Sequence, residues 1–250
     1  LIRGAATIAA PPRQDLGRRY LELLAENVGQ PGFRELLLLA HDVDARADLV
    51  FALLGETRRQ AFFRGPRDDR RAMQAFDLAG IGREHLMDAL TASLAVPVAT
   101  APSLITFAAD GPWRGETHRL ADRPGALARL LEEAAAAGAE QAIVVSGAPP
   151  STNPHELSPG RSDPRGRAAE QLGAFETVEL RDALAAPPSL LRAVFAIRPL
   201  HNPLGPLDFA GVYDERSDRT YAAAELVDRG YEDAYRQFIE PVVGANVETV

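Results

Sequence analysis

The residues most able to do chemistry stand at the end of an apolar run, Ser103-Leu-Ile-Thr-Phe-Ala-Ala-Asp-Gly-Pro112. In open α/β sheets, functional groups gather at the carboxyl ends of strands. Asp110 there can serve as a base, a metal ligand or a loop cap. Gly111 permits close approach of the backbone. Asp-Gly is equally an ordinary turn dipeptide, so the residues alone leave these roles open.

Other groups offer less. Asp42 and Asp44 follow a strand-like run, but Ala45-Arg46 supplies no hydroxyl or glycine beside them, and a solvated turn is expected. The histidines, His41, His85, His118, His155 and His201, are scattered. None forms the helical His-x-x-x-His pair of a metal site, so surface or capping roles are expected. His118 is near enough in sequence to Asp110 to visit its site. Ser93 lies in a helical segment without a glycine elbow. Ser146 is expected in a loop. Asp214 to Arg219 alternates in charge, as a solvated turn does. Trp113 could line a pocket mouth, touch lipid or simply pack.

Composition removes whole classes of function. Cysteine is absent, which excludes disulfides, thiolate catalysis and cysteine-held metals within the chain. All basic residues are arginine, so no lysine can form a Schiff base. A net charge of −8 and a pI of about 5.2 argue against nucleic acid as a partner. The 250 residues, 46% hydrophobic, suffice for one α/β domain over residues 1–250. No apolar run reaches the roughly 18 residues of a membrane span.

The elements that must position these groups follow from local pattern. Asp15 caps a predicted helix through about Val28. Leu36–Ala40 and Leu49–Leu54 are continuous apolar runs, as in strands buried on both faces. Arg58–Arg71 is a polar loop or helix face. Helices are expected over Asp69–Ala79 and Arg83–Ala95, with a strand over Leu104–Ala109. Arg123–Ala137 is a helix stopped by Gly138. Gln141–Ser146 is another buried strand. Gly147–Gly166, rich in Pro, Ser and Gly, is an irregular loop. Short helical segments follow between Arg167 and Leu191, then a strand at Ala193–Arg198 and a helix over Thr220–Glu240. Alternating strands and helices predict a mostly parallel sheet covered on both faces.

Several stretches, in order, resemble the patatin-like phospholipase family. Ala92-Ser93-Leu94-Ala95-Val96-Pro97, Pro102 and Asp110-Gly111 resemble its Ala-Ser-x-Ala-x-Pro segment, later proline and Asp-Gly-Gly or Asp-Gly-Ala. Glu35–Asp44 looks like its strand ending in Ala-Thr-Asp-Leu. Ala135–Val145 is similar to its Gly-Ala-Asp strand, and Arg229–Ala234 to its late Gly-Tyr helix. Pro112 departs from the family's glycine or alanine.

The resemblance implies a three-layer α/β/α sandwich acting through a Ser–Asp dyad on lipid acyl esters. Asp110 would be the dyad acid and base, and Gly111 would keep its turn. Ser93 and Pro97 would be neighbours of the site, Ser93 a packing residue. No metal or organic cofactor is implied, contact with membrane would be peripheral, and a cytoplasmic location fits. The family's Gly-x-Ser-x-Gly and its Gly-rich oxyanion loop occur nowhere in the 250 residues. The chain is therefore expected to be a C-terminal portion, N-terminally truncated, inactive alone, with an exposed sheet edge prone to association. The alternative expectation is a noncatalytic patatin-like module that binds lipid or a protein partner.

Overall fold

A computed structural model describes residues 22, 25–28, 35–65, 74–81, 83–97, 100–111, 113–147, 164–199 and 223–241. It divides into two compact units, Leu1–Ala139 and Glu140–Val250. Most of the expected helix from Asp15, the loop over 148–163, Asp214–Arg219, Pro112, His155 and His201 lie outside the described residues.

In the first unit, β1 (Leu36–Asp42) and β2 (Ala47–Leu53) form a hairpin in register Leu38↔Phe51 and Ala40↔Leu49. Helix α1 (Glu56–Arg64) begins after Gly55, with Glu56 in its first turn and Arg64 in its last, each matching the helix dipole. Strand β3 (Ala75–Asp77) returns parallel to β2. Helix α2 (Arg83–Ser93) leads to β4 (Ser103–Thr106) and β5 (Thr117–Ala121), a second hairpin. Helix α3 (Leu127–Ala136) closes the unit. The strand order is β3-β2-β1-β5-β4.

The sheet is therefore mostly antiparallel, where a mostly parallel one was expected. Only β2 and β3 run parallel within it. Unbroken apolar runs suggested parallel strands because burial on both faces is typical of them. Here the same burial arises in an antiparallel hairpin, because helices cover both faces. Leu86, Ala89 and Ala92 of α2 join Ala40, Leu49, Phe51 and Leu120 in one core. On the other face Phe62 of α1 and Leu130 near the start of α3 pack with Leu39, Val50 and Ala52. The turn Val43–Arg46 is also too short for the crossover of a dozen or more residues that a parallel pair needs.

Two further expectations change. Ala75–Asp77 is a strand rather than the end of a helix, because β2 offers an edge that it completes. The expected strand over Leu104–Ala109 stops at Thr106, and the chain turns at Ala109-Asp110.

In the second unit, β6 (Gln141–Val145) pairs in parallel with β7 (Ala193–Ile197). A single helix, α4 (Pro164–Ala185), stands where shorter segments were expected. Strand β6 is not buried on both faces: Ile143 and Val145 are exposed while Ala142 and Val144 are half-buried. Helix α5 (Ala223–Ala234) runs into a π-helical turn, Tyr235–Ile239. That widened turn aims Gln237 at β7, where it accepts from Arg198 N–H at 3.1 Å and donates to Arg198 O at 2.6 Å. Phe238 meets Phe195 edge to face, with ring centres 5.2 Å apart.

Candidate functional site

A buried polar cluster in the first unit joins β1 to β5. Asp42 is the last residue of β1 and is fully buried. Its Oδ1 accepts the N–H groups of Asp44 and Ala45, both at 2.9 Å, and so shapes the β1–β2 turn. Its Oδ2 lies 2.5 Å from His118 Nδ1. The expected solvated turn thus holds one buried carboxylate, because β5 crosses over it. Asp44 is the exposed member. It accepts Arg119 N–H at 2.8 Å and the Arg119 side chain at 2.6 and 3.0 Å, and hydrogen bonding to Arg119 holds its carboxyl below the usual range.

His118 is 6% exposed, in place of the surface or capping role expected of it. Register puts Ile105 opposite it, and Asp42 opposite Leu120 two residues on. Side chains two apart on a strand share a face, so Asp42 and His118 meet diagonally. Nε2 of His118 lies 3.2 Å from Glu116 Oε2. Phe107 and Trp113 meet the ring edge to face at 5.3 and 4.6 Å. Burial pulls the ring's pKa down, but the hydrogen bonds and charges of Asp42 and Glu116 outweigh it, so it stands above the ordinary histidine value. An ionised carboxylate only accepts, so both contacts are satisfied together when both ring nitrogens carry protons.

Trp113 caps this cluster. Its ring packs on Phe107 at 5.9 Å, while its indole Nε1 is buried without a hydrogen-bond partner. An unmade buried hydrogen bond of this kind costs about 1–3 kcal/mol. The packing role open to Trp113 in the sequence is the one its surroundings fit.

The residues singled out in the sequence fall in two places. Asp110 is exposed in the loop Phe107–Glu116 between β4 and β5. Gly111 turns that loop, its N–H donating to Ala108 O at 3.0 Å. Ser93 ends α2, and its hydroxyl donates to Leu90 O at 2.9 Å. Pro97 lies just beyond, half-buried. The Ala92–Pro97 segment is tied at Ala95 O to the N–H of Asp122, at 2.9 Å, where β5 ends. Asp110 precedes the other end of β5; at about 3.3 Å per residue the strand itself is roughly 16 Å long. The loop containing Asp110-Gly111 and the segment containing Ser93 and Pro97 therefore adjoin opposite ends of β5.

Protein-family models, curated proteins and solved structures give no match to this chain.

Glu116, Asp122 and Asp48 escaped the sequence reading. Asp122 follows the alternation of Thr117-His-Arg-Leu-Ala121, buried at His118 and Leu120 and exposed at Thr117 and Arg119. That alternation was the available sign of a strand, and Asp122 is the carboxylate at its end. Asp48 has no such sign: it accepts from Arg123 at 2.6 Å and lies 2.8 Å from His41 Nδ1 only because β2 brings it there. Ser146 donates to Glu176 Oε1 at 3.1 Å, in the loop where it was expected. His85 is exposed beside Asp88. Among the described residues no group of three or more His, Asp or Glu side chains is arranged to hold a metal ion, and no helix is long and apolar enough to cross a membrane.

Proposed function

We propose that the chain is the acid-bearing part of a patatin-like acyl hydrolase that cleaves lipid esters through a serine nucleophile. The observation that carries this reading is the bond from Asp122 N–H to Ala95 O. It joins a carboxylate at a strand's carboxyl end to the Ala92–Pro97 segment that resembles the family. The bond to the Ala92–Pro97 segment favours Asp122 over Asp110 as the dyad acid, since Asp110 lies out in the hairpin loop before the other end of β5.

The sheet supports the same reading. Strand β1 meets β5 only at His41↔Ala121 and Asp42↔Leu120. Among the described residues, Leu36–Ala40 pairs with β2 alone. A strand carrying the nucleophile could add there, between the helices that pack on the two faces. The chain has no Gly-x-Ser-x-Gly, so the serine would come from outside these 250 residues. It would attack the ester carbonyl as the Asp takes its proton. The Asp would pass that proton to the departing alcohol, leaving an acyl-enzyme. It would then take a proton from water, whose attack releases the fatty acid and returns the proton to the serine.

The test has two arms. The 250-residue chain alone should not turn over p-nitrophenyl esters. In the native polypeptide, Asp122→Asn should lower the esterase rate about 100-fold or more, the usual scale of general base catalysis, while Asp110→Asn stays near wild type. Loss that follows Asp110 instead would move the acid to the loop. Wild-type rates in both variants would remove both carboxylates from the dyad, and a native polypeptide without esterase activity would overturn the hydrolase and leave the noncatalytic binding module.

A further inference from the structure

We infer that His118 is a proton-operated latch: its charged ring fastens the Glu116 carboxylate, just ahead of β5, to the buried Asp42, and loss of the proton releases Glu116 and shifts the surroundings of Trp113.

The geometry requires two donors on one ring. Nδ1 faces a carboxylate oxygen of β1 and Nε2 faces a carboxylate oxygen of the loop. A neutral imidazole donates from one nitrogen and accepts at the other. The donor stays with the fully buried Asp42, which has no access to water as a substitute partner. The lone pair of Nε2 then faces the Glu116 carboxylate, and two acceptors at hydrogen-bond distance repel. Glu116 has a 66% exposed side chain and is free to swing to solvent. The Trp113 ring, its centre 4.6 Å from that of the imidazole, packs edge to face against it.

The other charged groups do not oppose this. Asp44 in the β1–β2 turn is engaged by Arg119. In the loop, Asp110 and Arg114 are exposed. On α2, which packs against the same face of the sheet, His85 and Asp88 are exposed and the core contacts are Leu86, Ala89 and Ala92. β4 contributes Ile105, which is apolar. The two carboxylates touching the ring therefore set its charge, and both hold the proton on, in line with its raised pKa.

Trp113 is the chain's one tryptophan and packs against the His118 ring, so it reports directly. Its fluorescence should shift with pH in the intact chain, with a midpoint above the ordinary histidine value. In His118→Gln the transition should vanish between about pH 5 and 9 while the far-ultraviolet circular dichroism is kept. In Glu116→Gln, where an exposed residue changes and folding is not at risk, the midpoint should fall by about one unit, as expected on losing a neighbouring charge. A flat wild-type titration, or a transition that survives in His118→Gln, would overturn the latch. So would an unmoved midpoint in Glu116→Gln, which decides the matter if His118→Gln does not fold.

Discussion

Asp42 and His118 are brought to 2.5 Å by the two-pair contact between β1 and β5. Asp42 then has three partners, the ring nitrogen across the strands and the amides of Asp44 and Ala45 in its own turn. A buried carboxylate so placed is costly to remove, because its partners lose their acceptor inside the protein.

Asp42→Ala should accordingly destabilise the first unit by about 3–5 kcal/mol, the cost of leaving a buried charge and amides unpaired. Asp42→Asn retains one oxygen acceptor and should lose less. Urea denaturation followed by circular dichroism measures both. A loss below about 0.5 kcal/mol for Asp42→Ala, the range of an ordinary surface change, would show that the pair does not support the fold.

The raised pKa of His118 fixes the sign of a pH effect on stability. The folded chain holds this proton more tightly than the unfolded chain, so its contribution is full below the unfolded value of 6.5. It is lost as pH rises through the folded value. Asp44 acts in the opposite sense. Its lowered pKa gives a contribution present above 3.8 and lost as pH falls through the folded value. The urea midpoint should therefore decline on the alkaline side in the wild type and not in His118→Gln. High salt should blunt the acid limb, because the Asp44–Arg119 pair is exposed.

Helix α3 ends by a glycine that no other residue replaces easily. Gly138 has φ +91°, its N–H donates to Ala135 O at 2.9 Å, and Ala139 N–H donates to Ala134 O at 3.0 Å. This pair of bonds is a Schellman stop. A Cβ at Gly138 would find room, with Arg58 Nε 4.0 Å away, so the cost of Gly138→Ala is backbone strain. We expect about 1–2 kcal/mol, read as a lower denaturation midpoint with an unchanged slope. An unaffected midpoint would mean that the helix end relaxes.

Much of the fold is legible because its determinants are local. Leu36–Ala40 and Leu49–Leu54 are unbroken apolar runs and become β1 and β2 within a residue or two. Gly138 stops α3 where the pattern of alanine and leucine ends. Gln141–Val145 and Ala193–Ile197 are the strands their composition predicts. In each, hydrophobic period and a terminating residue suffice.

Burial misled on strand direction, because it records only that both faces are covered; the short link between Ala40 and Leu49 was the available sign that the first two strands are antiparallel. The candidate site was legible in part. The sequence marked Asp110-Gly111 and Ser93 with Pro97, and each forms a turn or helix end of the expected local kind. It could not show that they adjoin opposite ends of β5, because Thr117–Ala121 carries only a short alternation and its pairing with β1 joins residues far apart in sequence.

By itself, then, the sequence marked β1, β2, β6 and β7, the helices α2 and α3 and where α3 stops, and determined that cysteine and lysine chemistry is absent. The tertiary structure decided that β1 and β5 run antiparallel, and with that the fate of Asp42 and His118. One is a turn aspartate and the other a lone histidine until two strands far apart in sequence align. Burial then removes water as their partner and leaves each to the other.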